Sequence, residues 1–150
     1  MARWLNLGQS LKVHAKRFPD TVALKEHGRA FTYPETNRRV NKHAHALLSL
    51  GLSKGDKVAV ILENCIEIVE VYLAAAKTGL VIVPINFRLL GPDVAYILTN
   101  SDAQALIVHD EFTPCVDGIR SALTEIKPEN YIVVGEERPG YRQYESFVQE

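Results

Sequence analysis

Four short, almost purely apolar runs, at residues 57–62, 80–85, 105–108 and 131–134, are separated by stretches whose apolar residues recur at helical spacing. A strand that is apolar at nearly every position is covered on both faces, as in a parallel sheet flanked by helices. Strands that alternate with helices are joined by right-handed βαβ crossovers. The chain therefore reads as α/β: a mostly parallel βαβ layer of about four strands with flanking helices.

Local signals place the elements between these runs. Leu7, Leu11, His14, Ala15 and Phe18 share one helical face, which Pro19 terminates. Residues 22–24 and 30–33 flank Glu-His-Gly-Arg, where Gly28 supplies the positive φ of a tight turn. This predicts a small β-hairpin ahead of the layer. Thr32 and Glu35 have capping-box spacing before an apolar stripe of Val40, Ala44, Leu47 and Leu48, and Gly51 suits the helix end. Asn64 and Glu67 are expected to cap a helix running to Lys77 and ended by Gly79. Pro92 and Thr113-Pro114 open two further helices, and a last one begins near Tyr144. The polar stretch 135–142 reads as a loop or the edge of a larger domain.

A length of 150 residues is about one domain, large enough to bury a core without disulfides or metals. Seventeen Lys and Arg against 18 Asp and Glu leave no basic excess for nucleic acid, and the scattered cations read as a solvated surface. Cys65 and Cys115 lack partners at metal-ligand spacing and read as free thiols of a reducing compartment. Residues 1–6 lack the apolar core of a signal peptide, and Lys77 and Gly79 interrupt the longest apolar stretch well short of the ~20 residues a membrane helix needs. A soluble, cytoplasmic protein is expected.

Each chemical motif has a plainer structural explanation. No GxGxxG occurs, and Gly135 and Gly140 are followed by Tyr141 and Arg142 rather than the Lys and hydroxyl of a P-loop. Residues 51–56 read as turn chemistry rather than an anion-binding nest. His43 and His45, two apart, point to different faces of a helix, so one is expected exposed and one at the boundary. His109-Asp110 and Asn86 with Arg88 end strands, where α/β proteins place ligands. No partner is identifiable for the former, and Arg88 reads as tying its loop to backbone carbonyls. Glu63-Asn64 is given a capping role. No residue is assigned a catalytic, cofactor-binding or metal-binding role.

Thr32-Tyr33-x-Glu35, then Gly55-Asp56-Lys57-Val58-Ala59, then Val83-Pro84-Ile85-Asn86-x-Arg88 resemble, in order and spacing, the opening of the adenylate-forming enzymes, above all the fatty-acid and other acyl-CoA ligases. Phe18-Pro19-Asp20 and Tyr96-Ile97-Leu98 with Asp102-Ala103 extend the resemblance over nearly the whole chain. Thr36, where many relatives have Leu, and Val94, where many have a second acid, blur the subfamily. The resemblance implies a parent enzyme that uses ATP and Mg2+ to make an acyl-adenylate from a carboxylic acid, foremost a fatty acid, and passes the acyl group to CoA. It also implies that residues 1–150 form the first half of the large N-terminal AMP-binding domain, with no complete second domain. The family's Thr/Ser/Gly-rich phosphate loop, adenine contacts and catalytic lysine lie further along, so the segment is expected to be inactive alone. Sheet edges left open by such a division are expected to favour a homo-oligomer, with exchange of the N-terminal segment as one route. The alternative is a stand-alone, non-catalytic α/β binding module, which would be a cooperative monomer.

Overall fold

The computed structural model describes residues 7–149; residues 1–6, read above for targeting signals, lie outside the described residues, as does Glu150. Helix α1 (Leu7–Arg17) precedes an antiparallel hairpin of β1 (Val22–Glu26) and β2 (Arg29–Thr32). The hairpin turns through His27 (φ 41°) and Gly28 (φ 83°), the paired positive φ of a type I′ turn whose twist matches that of its strands. Helix α2 (Tyr33–Ser49) starts at the expected capping box. The Glu35 N–H donates to Thr32 Oγ1 at 3.4 Å, and the Thr32 N–H to Glu35 Oε2 at 2.8 Å.

The remaining elements alternate: β3 (Lys57–Ile61), α3 (Ile66–Thr78), β4 (Val81–Pro84), α4 (Gly91–Asn100), β5 (Ala103–His109), α5 (Thr113–Ile119), β6 (Tyr131–Val134), β7 (Arg142–Gln143) and α6 (Tyr144–Gln149). The sheet is parallel throughout, in the order β4-β3-β5-β6-β7. It has five strands where four were expected. The fifth falls in the polar stretch because only two residues form it, held by backbone pairing to Ile132 and Val133 rather than by burial.

Side-chain alternation explains the all-apolar strands. Val58, Val60, Ala105, Ile107 and Ile132 face α2, α3 and α6, whereas Ala59, Ile61, Leu106, Val108 and Tyr131 face α4 and α5. Each fully buried Val, Leu or Ile contributes roughly 1.5–3 kcal/mol relative to exposure. Helix α1 lies outside the main helical layer, against α2 and α3. A β-carbon on Gly8 would sit 2.4 Å from the Ala76 carbonyl oxygen, so only glycine permits this approach. At β4, the Val81 and Ile85 N–H groups bond β3, at Asp56 O and Val60 O. Pro84 therefore faces the open edge, where its missing N–H leaves one fewer donor for an incoming strand.

Candidate functional site

The carboxyl ends of β3, β5 and β6 converge on a cleft of ≈ 440 Å³. From β3 the chain runs outward to β4, then crosses back over β3 to β5. The cleft therefore lies where strand order reverses, the crevice at which open α/β sheets bind ligands. Its near wall is Glu63, Asn64 and Cys65 after β3; its far wall is His109 at the end of β5 and Gly135 after β6. The two walls touch: the Glu63 N–H donates to His109 Nδ1 at 3.0 Å. That bond leaves the proton of a neutral His109 on Nε2. Asp110 turns away to an ion pair with Arg138 at 3.1 Å, and a β-carbon on Gly135 would sit 2.4 Å from its Oδ1.

The hairpin closes the third side. Arg29 reaches from β2 to Glu67 on α3 at 2.6 Å and to Glu26 at 2.6 Å. Burial alone pushes the Glu67 carboxyl up, but Arg29 outweighs it and holds it below the usual carboxylate range. The N-cap of α3 is Cys65, not Asn64, because Sγ accepts from the Ile68 N–H at 3.4 Å while Glu67 is committed to Arg29. Burial pushes the Cys65 thiol up to about 12, so it is a cap and not a nucleophile.

Behind the cleft, α6 is locked to α2 and α3 by buried polar groups. The Tyr144 hydroxyl donates to Glu70 Oε2 at 3.0 Å and sits 2.9 Å from His43 Nδ1. Glu70, fully buried, receives Arg39, whose guanidinium also holds Glu145 at 2.7 Å and lies over the Phe31 ring. Burial raises Glu70 despite Arg39, and burial with the Arg39 charge lowers His43 to about 3. His43 is thus a neutral core residue, where a boundary position was expected; α6, distant in sequence, covers it. His45 is exposed.

The other candidates are structural. The Ser53 N–H donates to Asp56 Oδ2 at 2.7 Å and the Gly55 N–H to Gly79 O at 2.9 Å, so the turn at 51–56 uses its own donors. It is Asn86, not Arg88, that ties its loop: Asn86 Oδ1 accepts from the Arg88 N–H at 3.0 Å. The Arg88 guanidinium lies over the Phe87 ring at the surface. Both cysteines are free, and no His, Cys, Asp and Glu grouping among the described residues has the form of a metal site.

The cleft does not fit a nucleotide's phosphates. Glu26, Glu63, Glu67 and Glu145 line it against a single guanidinium that is already paired. The start of α3, where an anion would gain from the helix dipole, is filled from within: the Ile66 N–H donates to Glu26 Oε2 at 3.3 Å.

A model of the AMP-binding enzyme family matches residues 11–147. The chain belongs to this family. It is similar to a fatty acid–[acyl-carrier-protein] ligase of Streptomyces coeruleorubidus, 38% identical over 130 residues, which is 87% of this chain and 24% of that protein. It is similar to a crotonobetaine/carnitine–CoA ligase of Salmonella typhimurium, 38% identical over 122 residues, 81% of this chain and 23% of that one. Its fold matches the anthranilate CoA ligase AuaEII, solved with anthranoyl-AMP, with a TM-score of 0.91 and 28% identity over 99% of this chain and 29% of that one. The chain thus spans about a quarter of the length of the curated relatives it matches. No helix among its described residues is long and apolar enough to cross a membrane.

Proposed function

We propose that residues 1–150 are the opening part of the large domain of an ATP-dependent acyl-CoA synthetase. The whole enzyme activates a carboxylic acid, foremost a fatty acid, as its acyl-adenylate, and CoA takes up the acyl group. ATP and Mg2+ serve the whole enzyme, with Mg2+ neutralising the phosphates. This segment's part is to supply one wall of the domain: a parallel sheet, the cleft at its carboxyl ends and the clasp made by Arg29. It contributes no catalytic, cofactor-binding or metal-binding side chain. The observation that carries this reading is the family match at a quarter of the relatives' length, together with a cleft whose acids oppose phosphate. The fatty acid is supported by the Streptomyces relative's substrate, and CoA by the Salmonella relative's acceptor.

Calorimetric titration with ATP and Mg2+, run on this chain beside the product of the intact open reading frame, tests the reading. Binding is expected for the longer product and none for the 150 residues. Binding by the chain alone would favour an independent module instead. Pyrophosphate release from ATP by the longer product should depend on added fatty acid, and release indifferent to any acid would exclude the ligase reaction.

A further inference from the structure

We propose that the outer face of α1 and α2 is a docking surface for an anionic lipid bilayer. The two helices carry Lys12, Lys16, Arg17, Arg38, Arg39 and Lys42 against a single acid, Glu35, which the capping box occupies. Of these cations only Arg39 turns inward; the other five are exposed. Helical geometry groups Gln9, Val13, Lys16 and Arg17 on the outside of α1, and Arg38, Lys42, His45 and Leu48 on the outside of α2. The two faces are continuous. Lys77, at the end of α3, bonds Asn37 and Asn41 of α2 at 2.6 Å each, and after burial the nearby charge of Lys12 on α1 is what lowers its pKa.

The positive charge is segregated by the fold. The first fifty residues hold nine Lys and Arg against Asp20, Glu26 and Glu35. On the opposite side of the sheet, α4 and α5 and their flanking turns expose Asp93, Glu111, Asp117, Glu125 and Glu129. The molecule is therefore an electrical dipole whose positive pole is the α1–α2 face. Juxtamembrane cations gain about 1 kcal/mol each near an anionic leaflet.

Apolar side chains on the same face favour lipid over an acidic protein. Val13, at the centre of the outer face of α1, is 42% exposed, and Leu48 on α2 is 42% exposed. Cations interspersed with apolar tips suit the headgroup boundary, where apolar groups sink and Lys and Arg snorkel. This surface is separate from the cleft, and the inference does not depend on the ligase chemistry.

Co-sedimentation of the chain with vesicles containing roughly one third phosphatidylserine, beside pure phosphatidylcholine vesicles, tests it. Binding is expected to the anionic vesicles alone and to vanish near 1 M salt, where screening acts over ~3 Å. Lys16→Glu with Arg38→Glu should lower the partition coefficient roughly 25-fold or more, about fivefold per cation. Lys12→Gln with Lys16→Gln should give the same direction by neutralisation, so a misfolded reversal variant would not decide the matter. Val13→Ser should weaken binding at unchanged charge, and Lys127→Glu, on the opposite face, should leave it intact. Equal binding to neutral vesicles, or a charge-reversed variant that folds and partitions like the parent, would overturn the proposal. So would salt-sensitive binding to poly-L-glutamate without binding to vesicles, the behaviour of a dock for an acidic protein.

Discussion

Arg39 holds two carboxylates that would otherwise repel: Glu70, fully buried, and Glu145 on α6. Truncating it leaves Glu70 without its cation, and breaking a buried pair from one side costs about 3–5 kcal/mol. Arg39→Ala should lower the urea-unfolding free energy by that amount, and Glu145→Ala, on a half-exposed partner, by far less. His43 gives a pH signature. Its folded value near 3 lies below the ordinary 6.5, so as pH falls the unfolded chain takes up the proton first. The stability contributed by burying it neutral is complete above about pH 6.5 and is lost as pH falls toward 3. Glu70, raised by burial, acts in the opposite sense: its contribution is present below the ordinary carboxylate value and lost as pH rises through its folded one. Between pH 7 and 5 the chain should lose up to about 2 kcal/mol through His43. His43→Gln keeps an N–H donor for the Tyr144 oxygen but does not titrate, and should flatten that loss; an unchanged slope would mean His43 is not its source.

Among the elements, α1 and β4 depend on single residues. Gly8→Ala would drive a methyl group into the Ala76 carbonyl, so α1 should separate from α3, with amide exchange in α1 accelerating while the sheet stays protected. Pro84→Thr restores an N–H on the open edge of β4, and sedimentation velocity should then show stronger self-association. The elements themselves were legible because their signals are local. The capping box needs only Thr32 and Glu35, the turn only Gly28, and a strand buried on both faces shows as an unbroken apolar run. What escaped was set by partners far away in the chain. Cys65 displaces Asn64 as the cap because Arg29, from the hairpin, takes Glu67. Arg142 and Gln143 form a strand because β6 offers its edge, with no apolar pattern to announce it. His43 is buried because Tyr144 and Phe147 arrive over it.

At the scale of the whole molecule, nearly balanced composition concealed a strong asymmetry. Cations that look scattered along the sequence are gathered by α1 and α2 onto one side, while Asp93, Glu111, Asp117, Glu125 and Glu129 are exposed on the other. The candidate cleft was half legible: strand ends at Glu63 and His109 were foreseeable, but their direct bond requires β3 and β5 to be neighbours, and that follows from topology. The position of β3 between β4 and β5 also bears on how the chain is made. A ribosome delivers β3 before either neighbour, then β4, and β5 only after α4 has emerged. Until then the inner edge of β3, with the backbone groups of Lys57, Ala59 and Ile61, stays unpaired, and nascent chains carrying open apolar edges are prone to mispairing. Pauses in translation between Pro84 and Ala103 would lengthen that interval, so synonymous codon changes there should alter the yield of folded product without altering one residue of it.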